Sequence, residues 1–228
     1  MSYARTARLL RFSFLLVLGL LASQAAASAQ GGKLLPTDEG IKNPEFFAFR
    51  ARLQAALARR DAAAVLAVVD PRIKNTFGGD DGIEAFKRIW NLSGGESRLW
   101  EELGLVLALG GKFQGGNSFV APYIYTHWPE PFDAFQHVAV LGSDVRVRAA
   151  PDTGSPVLAT LTFDIVKLSE SGRAKLTPEQ AREWTAVELR GGRTGYIASR
   201  FVRSHVAHRA FFTRKDGGWK LDFFVAGD

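Results

Sequence analysis

The chain predicts an α+β fold: a helical N-terminal half and a C-terminal β-hairpin that belong together, interrupted by a small β-barrel. Three observations carry this. Apolar residues recur at helical spacing between residues 44 and 107, short apolar runs alternate with period two between 138 and 203, and residues 208–228 hold two apolar runs flanking Asp216-Gly217-Gly218.

Residues 1–29 read as an export leader and not as part of the fold. Arg5, Arg8 and Arg11 form a positive start, Phe12 to Ala22 an apolar stretch, and Ala27-Ser28-Ala29 a small-residue cleavage site. The apolar stretch is shorter than the about 20 residues a membrane helix needs. Cleavage after Ala29 is therefore expected, giving a periplasmic or secreted chain with no stable membrane insertion. The leader takes three arginines and no acid with it, which lowers the formal charge from +6 to +3. With no block of five or more Lys/Arg, nucleic acid is not an expected partner. The absence of cysteine excludes disulfides, thiolate metal ligands and a thiol nucleophile.

After a linker through Pro36, Asn43 is placed to cap a helix with Pro44 at its first position, and Phe46, Phe49, Leu53 and Leu57 share its apolar face. Asp61 is expected to cap a second helix carrying Val65, Leu66, Val68 and Val69, which Pro71 ends. Gly78-Gly79 breaks the chain after Phe77, and Asp80 is placed to cap a third helix presenting Ile83, Phe86 and Trp90. Ser97 opens a fourth, with Leu99, Trp100, Leu103, Val106 and Leu107 as its face and Gly104 as a weak point. Residues 112–135 hold seven aromatics without a clean period and read as a long loop. Its rings either fill a seam between two substructures or, through Tyr123, Tyr125 and Trp128, line a ligand groove.

From Val138 the pattern becomes short strands. Val145 and Val147 point one way and Arg146 and Arg148 the other; Val157, Ala159 and Leu161 continue the alternation, followed by the runs FDIVKL, EWTAVEL and RTGYIAS, with Gly191-Gly192 turning between the last two. The insertion SESGRAKLTPEQAREW contains Thr177-Pro178-Glu179-Gln180, a capping box that predicts a short helix on the side of the barrel. In the tail, Trp219, Leu221, Phe223 and Val225 are expected on one face. At about 1.5–3 kcal/mol per buried side chain, against 20–40 kcal/mol to order some 20 residues at roughly 1–2 kcal/mol each, this hairpin must join something larger. The helices lack a sheet to cover, so the tail is expected to return to them.

The V-x-V-R-x-x-P start at Val145, the Pro156-Val157-Leu158-x-x-Leu161 run, Trp184 before Val187-x-Leu189, and the G-R-x-G-Y-I finish at Gly192–Ile197 together resemble a bacterial SH3 (SH3b) domain over residues 138–203. Arg146 departs from the small polar residue usual in that family, and the insertion lengthens the third-to-fourth strand connection. The helices and the closing GGWKLDFF pattern are similar to an NTF2-like α+β cone. The expected organisation is a leader (1–29), a discontinuous α+β domain (36–135 plus 204–228) and an SH3b-like β-barrel (138–203). The resemblance implies a non-catalytic cell-envelope module recognising peptidoglycan peptides, glycan or an envelope protein; the ligand-binding candidates are Tyr196, Trp184, Arg146 and Arg148 of the barrel, with Tyr123 and Trp128 of the aromatic stretch beside it.

Catalytic signatures are sparse. No zincin helix, nucleophile elbow, Walker loop or dinucleotide fingerprint is present. No cofactor or metal is expected, and His205 and His208, three apart on a strand, face opposite ways. The catalytic candidates are His127, with Glu130 or Asp133 as orienter, and the adjacent acids Asp80 and Asp81, which otherwise serve as a helix cap and dipole partner. They define a rival reading, a small-substrate enzyme with a pocket in the NTF2-like half; a purely protein-docking module is the third. Arg200, Arg203, Arg209, Arg214 and Lys215 form a loose basic stretch, either a solvated face or a grip for carboxylates.

Overall fold

The computed structural model describes residues 32–93 and 96–227; the leader lies outside them. The described chain is a mixed α+β structure built on two sheets.

The first sheet is five-stranded, in the order β1-β12-β11-β3-β2, from β1 (Val69–Lys74), β2 (Lys112–Phe113), β3 (Ser118–Ala121), β11 (Arg209–Lys215) and β12 (Gly218–Val225). Helices α1 (Pro44–Ala58), α2 (Ala62–Leu66), α3 (Ile83–Ile89) and α4 (Leu99–Ala108) supply the rest of its core. The side chains of Asn43 and Asp61 cap α1 and α2 through Phe46 N and Ala64 N. Phe46 is the hub of that core, with its ring centroid 4.2 Å from Phe119, 4.8 Å from Trp219 and 5.8 Å from Phe212. Residues far apart in sequence therefore depend on one another, and the tail hairpin gains here the partner it lacks alone. It pairs antiparallel with β3 and parallel with β1.

Four local expectations are corrected. The first half is not purely helical, because it contributes three strands. Val68 and Val69 do not extend α2: β-branched Val69 starts β1, which carries Pro71 because the strand lies at the sheet edge, where a missing N–H costs no ladder bond. Asp80 is not the cap of α3, whose N-cap is Gly82 with φ of 89°. The aromatic stretch is not a loop: it forms β2, β3 and the single turn α5 (Tyr123–Thr126).

In the tail, a bulge breaks the alternation. Phe211 faces Phe223 while Phe212 faces Leu221, so Asp222 is the extra residue. Phe224, 1% exposed, takes the inward place expected of Phe223, which is 40% exposed.

The second sheet has seven strands in the order β10-β4-β7-β8-β9-β5-β6: β4 (His137–Val140), β5 (Val145–Arg148), β6 (Val157–Leu161), β7 (Ile165–Leu168), β8 (Trp184–Leu189), β9 (Arg193–Ala198) and β10 (Val202–Ser204). Val138 and Val140 of β4, Val145 and Val147 of β5 and Leu161 of β6 share one core. A flat seven-stranded sheet cannot bring strands from both ends into one cluster, so this one folds over on itself. It is not the closed barrel expected, since β6 and β10 are edges that are not hydrogen-bonded to each other. The chain enters and leaves this sheet side by side, with β4 paired to β10 through Val138↔Ser204 and Val140↔Val202.

Two short helices, α6 (Glu170–Arg173) and α7 (Pro178–Glu183), lie in the connection between β7 and β8. Both bonds of the Thr177/Gln180 capping box are present. Gly172 sits so close to Thr194 and the Ala186 methyl that a side chain there would collide.

The two sheets meet through a third cluster containing Leu34, Tyr123, Ile124, Ala139 and Ile165, with Trp128 and Phe132 packed against it. A buried ion pair ties the same junction. Arg203 of β10 donates to Glu102 Oε1 of α4 at 2.8 Å and to the His208 carbonyl at 2.8 Å.

Candidate functional site

The two Val-Arg repeats of β5 decide where a site can form. Val145 and Val147 are buried inward, so Arg146 and Arg148 project from the outer face. Across the strand pair, Arg148 faces Tyr196 of β9, and Ala198 two residues on faces Trp184 of β8. Arg146, Arg148, Arg200, Trp184, Thr153 and Phe201 thereby border one cleft of about 290 Å³. Asp144, in the turn before β5, is the single acid on its border.

The arginines differ in constraint. Arg148 Nη1 donates to the Ser155 carbonyl at 2.6 Å, which fixes its guanidinium. The Arg200 guanidinium lies 4.8 Å from the Phe201 ring centroid, while Arg146 stands exposed. Among the described residues none of the three forms a salt bridge. Three cations beside an aromatic wall, two of them outward-facing, are suited to an anionic group attached to an uncharged body.

Trp184 also lines a second, adjoining cavity of about 230 Å³ beneath α6 and α7, bordered by Leu176, Ala181 and Ala186 among others. Trp184, Ala186 and Tyr196 form their own small cluster with Leu176. Both aromatic candidates are thus largely buried, and Tyr196 acts as packing under the insertion, with Trp184 the ring that reaches both cavities.

The candidates of the first half do not join this cleft. Tyr123 is 1% exposed in the seam between the sheets, where burial pushes its phenol pKa up. Trp128 donates its indole N–H to the Phe132 carbonyl at 2.7 Å and packs against His205. Tyr123 and Trp128 pack in the junction, and Tyr123 borders a separate cavity of about 290 Å³ with Pro36, Thr37 and Leu141, away from the arginine cleft.

The catalytic candidates are dispersed for identifiable reasons. His127 contacts Thr126 Oγ1 at 2.9 Å and Thr37 Oγ1 at 3.3 Å, not a carboxylate. Asp133 accepts instead from the backbone of Phe135 and Gln136. Asp80 is held by Arg88, with Nη2 at 2.6 Å, and Asp81 by Lys74, with Nζ at 2.8 Å. The Lys74 ammonium and the Asn75 N–H keep the Asp81 carboxyl below its usual range, the reverse of what a general acid needs. Among the described residues no group of three His, Asp or Glu is arranged to hold a metal ion.

The basic stretch is divided by the fold and is neither one solvated face nor one grip. Arg203 and Arg209 are buried, Arg214 pairs with Glu45, and Lys215 bridges Asp70 at 2.9 Å and Asp222 at 3.2 Å. Only Arg200 reaches the cleft.

Sequence reading missed the Glu102–Arg203–His208 group. The His208 N–H and the Arg203 guanidinium hold the Glu102 carboxyl at about 2 against the opposing effect of burial. At 3.5 Å the His208 Nδ1 contact is the looser geometry, so Arg203 at 2.8 Å is the anchor. These residues are far apart in the chain, and only the return of the tail to the helices brings them together. Comparisons with protein-family models, with curated proteins and with solved structures gave no match to this chain.

Proposed function

We propose that the protein is an exported, non-catalytic binding or accessory protein of the cell envelope, and that the Arg146/Arg148/Arg200 cleft recognises carboxylate-bearing peptides of the cell wall. In this reading residues 138–203 are an SH3b-like module, inserted into an NTF2-like host made of residues 36–135 and 204–228. The adjacency of β4 and β10 supports an insertion, because an added module whose ends meet leaves its host's sheet uninterrupted.

The observation that carries the binding reading is that three arginines border one cleft beside Trp184, against the single acid Asp144, and none of the three forms a salt bridge among the described residues. Arginine is suited to such a ligand because its planar fork matches a carboxylate with two parallel bonds. The dispersal of His127, Asp80 and Asp81 leaves the rival catalytic reading without its residues.

Co-sedimentation with purified murein sacculi tests this. The protein is expected to pellet with sacculi at low salt, and the Arg146→Ala/Arg148→Ala/Arg200→Ala variant to remain in the supernatant. A protein that never pellets, or a triple variant that pellets as well as the parent, removes the wall-binding reading.

A further inference from the structure

A second cleft, formed by α3, α4 and the start of the tail, carries two carboxylates against one guanidinium, where the arginine cleft has three guanidinium groups and one carboxylate. It measures about 440 Å³ and is bordered by Ile89, Trp90, Glu96, Arg98, Glu102 and His208. Trp90 is held rigidly: its ring stacks on Phe224 at 5.1 Å with 27° between planes, and the His208 ring lies 5.1 Å from both. Ile89, 43% exposed, adds an apolar edge at the mouth. The helix that carries Glu102 is fixed from behind by the core residues Leu99, Leu103, Val106 and Leu107.

The polar atoms on this border are only half used. Glu102 Oε1 takes both Arg203 and His208, whereas Oε2 accepts no hydrogen bond from the described residues. The carboxylate is ionised at any ordinary pH, so an acceptor with free lone pairs stands beside a fixed indole. An indole face attracts cations and flat rings alike. Arg203 commits its Nη2 to Glu102 Oε1 and the His208 carbonyl and does not border this cleft.

We propose that this cleft binds a small organic amine with a flat apolar body, its N–H groups donating to Glu102 Oε2 while the ring lies against Trp90. This is a second site, independent of the wall-binding cleft. An apolar wall with a few converging polar atoms is the usual form of a small-ligand pocket. With Glu96 also on the border, two carboxylates outweigh Arg98, and the unused Glu102 oxygen sets the preference for a donor over an acceptor.

The test titrates the 15N-labelled protein with benzylamine and with benzoate, following the indole N–H signals of Trp90 and Trp184, each assigned from its Trp→Phe variant. Benzylamine is expected to shift Trp90 with saturation at millimolar concentration, and benzoate to leave Trp90 unmoved. Glu102→Gln should weaken benzylamine about tenfold or more, the scale of a hydrogen bond to a charged group. The benzylamine–benzoate comparison on the unaltered protein needs no variant, so it stands even if Glu102→Gln loosens the Arg203 tie. No shift of Trp90 with benzylamine, an equal response to benzoate, or a folded Glu102→Gln variant that binds as before overturns the proposal. Failure of the arginine cleft would instead be seen as Trp184 silent to benzoate, which leaves the Trp90 result untouched.

Discussion

Replacing Arg203 with methionine keeps most of the side chain's length and apolar stem while deleting the guanidinium that joins the two sheets. The side chain is 6% exposed and makes two short bonds, to Glu102 and to the His208 carbonyl. The folded protein holds the Glu102 carboxyl at about 2 where an unfolded chain has 4.5. That difference corresponds to about 3 kcal/mol at neutral pH, and removing one partner of a buried pair costs about 3–5 kcal/mol. Because Glu102 keeps 22% of its side chain in solvent and His208 stays beside it, the cost falls at or below the bottom of that range, about 2–3 kcal/mol. Glu102's pKa is depressed on folding, so its stabilisation is complete above about 4.5 and is lost as pH falls toward 2. Urea unfolding of parent and Arg203→Met should therefore differ by about 2–3 kcal/mol at pH 7, and by about half that at pH 3. A difference under about 1 kcal/mol at pH 7, or one that does not shrink in acid, would refute the placement of this pair as the electrostatic tie between the sheets.

The bulge at Asp222 predicts that Phe224→Ala destabilises by about 3–5 kcal/mol and Phe223→Ala by under about 1 kcal/mol, read by denaturant midpoints; an unbroken alternation would reverse the order. Gly104→Ala, in the middle of α4 with no neighbour within 4 Å of an added methyl, should raise stability by about 0.5–1 kcal/mol through helix propensity. Gly111→Ala should have the opposite sign at about 2 kcal/mol or more, because its methyl would run into the Val120 carbonyl, which the strand holds in place; a thermal melt of each variant separates the two.

Much of the fold was legible where a local rule had no competitor. Asn43 and Asp61 cap as their side-chain chemistry requires, the capping box at Thr177 forms in full, and Gly191 and Gly192 take the positive φ of 77° and 74° that the β8–β9 turn needs. Expectations failed where a tertiary contact outweighed the local one. Pro71 reads as a helix stop only until β12 offers β1 an edge to pair with. Asp80 reads as a cap only until Arg88, eight residues on in the last turn of α3, claims its carboxylate. The inward position of Phe224 depends on a bulge that no residue spacing announces.

Legibility of the sites follows the same division. The arginine cleft was half visible, since strand alternation alone puts Arg146 and Arg148 outward; Arg200 reaches it only because the chain turns back after β9. The Glu102–Arg203–His208 group was invisible, because its members come from α4, β10 and the turn before β11 and meet only at the junction of the sheets. An expected helical glutamate and an expected strand histidine carry no mark of each other in sequence.

The most direct measurement for the binding account is calorimetric titration of the parent protein with a soluble cell-wall stem peptide, in its free-carboxylate form and as the C-terminal amide. The account predicts binding of the acid that weakens with salt, about tenfold or greater loss for the amide, since each paired carboxylate–guanidinium contact is worth about 1.5–3 kcal/mol, and a similar loss for Arg146→Ala/Arg200→Ala. Equal affinity for acid and amide, or undiminished binding by that variant, would contradict it.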